Sequence, residues 1–240
     1  TNMYQLFLGM NTFNEDISSW DVSNVVNMYG MFRFASSFNG DLSSWQTSSL
    51  QGMNSMFDQA TAFESDLSAW DTSNVIDMYY AFRGASSFNS DVSTWNVGRV
   101  TNMERMFAQA SSFNSDVSSW NIGSVTNVND MFEGATAFNQ NLCAWGETFP
   151  YDPEYSGFEY NVVNDMFSDS GCTYQDAPRE DTKGPFCASD CSTPAAETPN
   201  PTTSNPTTAN PTTSNPTTAN PTVPPQTTNE PSTSPSLPPQ

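Results

Sequence analysis

Apolar residues recur along most of the chain at a constant step of 25. Tryptophan stands at Trp20, Trp45, Trp70, Trp95, Trp120 and Trp145. One phenylalanine series runs Phe13, Phe38, Phe63, Phe88, Phe113, Phe138, and a second runs Phe7, Phe32, Phe57, Phe82, Phe107, Phe132. Met3, Met28, Met53, Met78 and Met103 keep the same step, with Val128 closing the series. Several ladders sharing one phase mark a true internal repeat. Within a unit, the steps Val25, Met28, Phe32, Ala35 fit one face of a helix, and Ser23 is placed to cap it. The segment Asp16 to Val22 is too short and Ser-rich for a helix and reads as a brief extended stretch, with turns at residues such as Asn14 and Gly40. One short strand plus one helical stretch per unit predicts an α/β repeat solenoid of the leucine-rich-repeat kind.

Stacking is a thermodynamic requirement of such a unit. A buried aromatic removes about 150–250 Å² from water at about 25 cal/mol per Å². One turn holds too few of them to offset a chain entropy of about 1–2 kcal/mol per residue. The turns are therefore expected to lie in register, with the tryptophans in a column inside the coil. A parallel β-helix is the competing architecture. It calls for more β-branched residues than segments such as Met28–Phe32 or Met103–Phe107 contain.

The repeat unit itself is recognisable. The segments Ala35-Ser36-Ser37-Phe38-Asn39-Gly40-Asp41-Leu42-Ser43-Ser44-Trp45 and Trp20-Asp21-Val22-Ser23-Asn24-Val25-Val26-Asn27-Met28-Tyr29-Gly30-Met31-Phe32 resemble the 25-residue repeat of the BspA-like, leucine-rich-repeat-related surface proteins and their lipoprotein-associated branch of unknown function. The resemblance covers residues 1–145. It implies a secreted or cell-surface protein engaged in adhesion or protein binding, and it brings no catalytic residues. The second unit departs at Gln46 to Gly52, and Gly98 and Gly123 replace the serine before the expected helix, which bears on any ligand required to touch every turn alike.

The periodicity divides the chain into a solenoid over residues 1–145, a capping repeat over 146–191 and a tail over 192–240. The sequence opens in mid-repeat, so the solenoid is expected to be truncated at its N-terminal end. After Trp145 the next Met-Phe pair, Met166-Phe167, comes 35 residues after Met131-Phe132, an insertion that Gly146, Pro150, Pro153 and Gly157 mark as loop. The four cysteines all lie there, at Cys143, Cys172, Cys187 and Cys191. Disulfides are expected. Three pairings are open, among which a Cys143–Cys172 clip with a local Cys187–Cys191 bridge suits the capping role. A zinc site is the rival, but there is no histidine and the spacing is irregular. From Pro194 the chain repeats Asn-Pro-Thr-Thr-Ser and Asn-Pro-Thr-Thr-Ala, the composition of an extended, O-glycosylated stalk or a plain linker. Proline in the middle of each Asn-Pro-Thr triplet bars N-glycosylation.

Composition narrows the function. With 26 acidic against 6 basic residues the net charge is −20, which repels nucleic acid and anionic membrane surfaces. No run is long enough to span a membrane. The chain has no histidine, which removes the histidine-dependent triads and common metal centres. The carboxylates Asp16, Asp41, Asp66, Asp91 and Asp116 recur identically, whereas an active site needs one unique constellation. The expectation is a non-catalytic, monomeric extracellular or cell-surface protein without cofactor, binding a protein or glycan through one solenoid face. A structural surface component without a discrete ligand is the alternative, and ice or mineral binding by the paired serines is a minor one. The Asp ladder is a candidate interaction or calcium ladder, against the simpler reading that each Asp caps a turn. The ladder Asn14, Asn39, Asn89, Asn114 and Asn139, interrupted by Glu64, reads as satisfying loop backbone.

Overall fold

The computed structural model describes residues 1–151 and 165–192. Pro153 and Gly157 of the inserted loop, and the tail from residue 193, lie outside the described residues. All described residues belong to the unit Thr1–Glu197.

Successive 25-residue turns lie one on another. Single-residue parallel bridges join Asn2 to Asn27, Asn27 to Gly52, Gly52 to Asp77, Asp77 to Asn102 and Asn102 to Asn127. Numbering each unit from Thr1, Val26, Gln51, Ile76, Thr101 and Thr126, these bridges all fall at position 2. The extended stretch expected around Asp16 to Val22 is not a strand. It folds as a turn in which the Trp20 N–H donates to the Ile17 carbonyl at 3.1 Å.

The helix expected from Val25 onward is also absent. Among the described residues the single helical element is a 3-10 helix at Cys143–Glu147. In place of a helix, positions 3–10 form a train of overlapping turns whose amides alternate between two uses. Amides at even positions of the unit bond back three residues: Met31 to Met28, Arg33 to Gly30 and Ala35 to Phe32, at 3.1, 3.2 and 2.9 Å. Amides at odd positions reach the next turn: Met28 to Gly52, Gly30 to Asn54, Phe32 to Met56 and Phe34 to Asp58, at 2.9, 3.0, 2.9 and 2.8 Å. A helix would spend every amide within its own segment, and so short an isolated helix is marginal. The train keeps half of its amides for the neighbour. It requires two left-handed residues per unit, at positions 5 and 9. Gly30 and Gly84 supply that conformation, and so do the non-glycine residues Phe34, Tyr80 and Arg105, with φ of 60°, 58° and 50°.

The core is the stack of rings. Phe32 lies 5.5 Å from Phe7 and 5.5 Å from Phe57, centroid to centroid, and Phe57 lies 5.3 Å from Phe82. Within each turn the two phenylalanines stack face to face, as Phe82 and Phe88 do at 4.1 Å. Met28, Met31, Phe32 and Ala35 are fully buried, so the apolar spacing that suggests a helix serves the turn train equally well. Trp45, Trp70, Trp95, Trp120 and Trp145 are buried, but Trp20, in the first turn, is 38% exposed and departs from the expected interior column.

The stack continues past the inserted loop. The Phe132 N–H bonds the Met166 carbonyl and that of Gly134 the Ser168 carbonyl, both as neighbouring turns do, and Phe167 stacks on Phe132 at 5.9 Å. A side chain at Gly171 would strike the Thr136 carbonyl oxygen, which explains the glycine. Cys187 bridges both Asn141 and Tyr174, and the Ala188 N–H reaches the Gln140 carbonyl, folding this segment against the last turns. The disulfides are Cys143–Cys191 and Cys172–Cys187, which overturns the pairing of Cys143 with Cys172 and of Cys187 with Cys191. Cys172 and Cys187 are both buried beneath Phe138, a neighbourhood that sequence distance does not disclose. The outer bridge closes a loop with a sequence separation of 48. By loop-closure entropy that is worth about 4 kcal/mol.

Candidate interaction face

The repeated polar ladders are occupied with holding the coil. Asp16 Oδ1 accepts the Ser18 N–H at 3.0 Å, and Asp41, Asp66, Asp91 and Asp116 accept those of Ser43, Ser68, Ser93 and Ser118 at 2.8–2.9 Å. Hydrogen bonds from the following serine hold Asp16, Asp41 and Asp66 below the usual aspartate range, while Asp16 and Asp66 push Asp41 weakly the other way. Asn141 takes the same role toward Cys143 without a charge, at 3.0 Å. Each carboxylate thus serves its own turn. Among the described residues no three His, Cys, Asp or Glu side chains converge as a metal site.

The other ladders link turns. Asn14 Oδ1 accepts the Asn39 N–H, Asn39 that of Glu64, Asn89 that of Asn114, and Asn114 that of Asn139, at 2.7–3.0 Å. The indole N–H of Trp45 donates to the Ile17 carbonyl at 3.2 Å, and those of Trp70, Trp95, Trp120 and Trp145 repeat this toward Leu42, Leu67, Val92 and Val117. Hydroxyls of Ser44, Thr94 and Ser119 donate to carbonyls of the preceding turn, so these serine-rich positions are also cross-links.

Positions 4, 5, 8 and 9 behave differently. They range from buried (Ser55, Asp58, Ala108) to exposed (Phe34) and change from unit to unit: Tyr29-Gly30 and Arg33-Phe34, then Asn54-Ser55 and Asp58-Gln59, Tyr79-Tyr80 and Arg83-Gly84, Glu104-Arg105 and Ala108-Gln109. Their side chains touch one another across turns. The Asp58 carboxylate, fully buried, accepts Arg33 Nε at 2.8 Å on Oδ2 and Arg83 Nε at 2.8 Å on Oδ1. The Arg33 guanidinium lies 4.8 Å over the Phe34 ring and that of Arg83 lies 4.3 Å over the Tyr80 ring. Tyr79 and Tyr80 stack at 3.9 Å, and Arg105 donates to the Tyr80 hydroxyl at 2.9 Å while pairing with Asp130 at 3.0 Å. Burial and the neighbouring Tyr80 push the Tyr79 phenol upward. At Gly84 a side chain would require the Gln59 amide lying across it to move aside.

Phe34 is 42% exposed although it holds a left-handed backbone, and Tyr80 and Arg105 hold the same conformation at position 5. Bulky residues in that region are costly, and the turn train imposes the same conformation on Gln5, Ser55, Gln59, Gln109 and Asp130, so it belongs to the coil in every unit. Sequence reasoning singles out none of these residues, because it reads the segment as the outer side of a helix. The available signal is divergence inside an otherwise faithful repeat.

Residues 1–86 and 63–152 each match the family described as "Mycoplasma protein of unknown function, DUF285". No curated protein and no solved structure matches the chain. The two family matches overlap and together span residues 1–152 of the 240, so the chain belongs to the DUF285 family.

Proposed function

We propose that the protein is a non-catalytic, extracellular or cell-surface interaction module, a solenoid of the BspA-like kind that binds a macromolecular partner through positions 4, 5, 8 and 9 of its central turns. The observation that carries this reading is the concentration of Tyr79, Tyr80, Arg33, Phe34, Arg83 and Arg105 on that face. Aromatic residues and arginine are the types that dominate binding hot spots. The coil does not need them, since other units place Asn, Ser, Ala or Gly at the same positions.

Two disulfides support an oxidising compartment. Among the described residues no helix is long and apolar enough to cross a membrane. The test is a pull-down and a glycan-array screen with the full chain, run beside a Phe34→Gly, Tyr79→Asn variant. Saturable binding lost in the variant supports the reading. Binding that the variant retains, or no binding to any protein or glycan, would sink it.

A further inference from the structure

We propose that the Arg33–Asp58–Arg83 triad is the anchor of that face and receives a carboxylate side chain from a protein partner, an assignment that rests on the interaction-module reading above. The chain as a whole carries −20, yet here one buried carboxylate sits between two guanidiniums, leaving the triad with a net positive charge. Asp58 is fully buried, whereas Arg33 and Arg83 keep 28% and 24% of their side chains exposed, so the acid faces inward and the cations meet solvent.

Both guanidiniums are already fixed. Each is tied through Nε to Asp58 and laid over a ring, Phe34 for Arg33 and Tyr80 for Arg83. Among the described residues the hydrogen bond of the Arg33 guanidinium runs through Nε, which leaves its two Nη groups to present a planar fork to a ligand. A fork held this way matches a carboxylate and loses little freedom on binding. Asp58 thus positions the two arginines and cancels one of their charges, while Phe34 and the Tyr79–Tyr80 stack offer apolar surface beside them.

The overall charge decides what kind of acid can approach. Nucleic acids, anionic polysaccharides and anionic membranes bring many charges and meet the repulsion of the whole chain. A neutral or basic protein segment with one Asp or Glu among aromatic or aliphatic side chains meets attraction at the triad and little repulsion elsewhere. The surrounding tyrosines and phenylalanine are also the residue types of protein interfaces.

The experiment is selection of a displayed random-peptide library on the full chain, followed by titration of a selected peptide and its Glu→Gln or Asp→Asn analogue. Enrichment of a single acidic residue flanked by apolar ones is expected, with affinity falling about tenfold or more in the amide analogue. Arg33→Ala should cause a similar loss, and Arg33→Lys, which keeps the charge but not the planar fork, should recover only part of it. Circular dichroism of both variants checks that they remain folded. Selected peptides without an acid, binding indifferent to both Arg33 variants, or binding confined to a sialylated or sulfated glycan array would each overturn the assignment while leaving an interaction module in place. Failure to select any ligand of either class would overturn both readings.

Discussion

Positions 13–20 and positions 4–9 of each unit solve the same problem, joining one turn to the next, by opposite means. In the first region side chains do the joining: the Asn ladder, the indole N–H groups and the hydroxyls each bond the neighbouring turn. In the second the backbone does it, through the amides of Met28, Gly30, Phe32 and Phe34 and their equivalents. The consequence is visible in the sequence. Where a side chain forms the rung its identity repeats, as Trp and Phe do at every turn. Where the backbone forms the rung, the side chains at positions 4, 5, 8 and 9 diverge into Tyr, Arg, Phe, Asp and Gln, and only some of them, such as Arg33, Asp58 and Arg83, also link turns. Repetition in this molecule marks support, and divergence marks the surface on which recognition is proposed.

Removing a side-chain rung should have the largest effect on the coil. Trp95→Ala takes out a buried ring and its bond to the Leu67 carbonyl, and should cost about 3–5 kcal/mol in urea unfolding. Trp95→Phe keeps most of the ring and loses the bond, for an expected cost of about 1–3 kcal/mol. If the two variants lose equally little, the tryptophans are packing bystanders and the comparison fails.

A smaller effect follows from acid. Asp16, Asp21, Asp41, Asp66 and Asp71 are held below their ordinary value of 3.8 by hydrogen bonds from the serine two residues on. The folded chain therefore binds fewer protons there than the unfolded one. This contribution is present above 3.8 and is lost as pH falls through the lowered values. Asp77 has the opposite sign, since burial raises it, and its protonation adds stability as pH falls toward 3.8. A melting temperature followed downward through acid should hold or rise slightly before it drops. Asp77→Asn, which places there the residue that Asn27 and Asn102 already provide at this position, should abolish the rise. A steady fall from neutral pH in the parent, with no difference in the variant, would contradict this.

Much of the coil could be read from the chain alone. The shared phase of Trp, Phe and Met ladders points directly to turns stacked at a step of 25, because only in-register stacking buries identical residues together. The local structure could not be read in the same way. Met28, Met31, Phe32 and Ala35 have the spacing of a helical face, and a train of turns buries the same four. What separates the two is the left-handed backbone at positions 5 and 9. Gly30 and Gly84 hint at it, but Tyr80, Phe34 and Arg105 conceal it. The disulfide pairing is equally illegible, because Cys172 and Cys187 meet beside the Phe138 carbonyl, which is distant from both in sequence. The variable positions carry no sequence signature of their own, since their residues are chemically unlike and align only when the units are superposed.

The separation of support from recognition is tested most directly by the urea-unfolding free energy of a triple variant, Phe34→Gly, Tyr79→Asn, Tyr80→Ser. Each change imports the residue another unit uses at that position, as in Gly84, Asn54 and Ser55. The expected result is a stability within about 1–2 kcal/mol of the parent, since left-handed strain is relieved while exposed ring contacts are lost. A loss as large as that of Trp95→Ala would contradict it, and would mean that the divergent side chains hold the coil together after all.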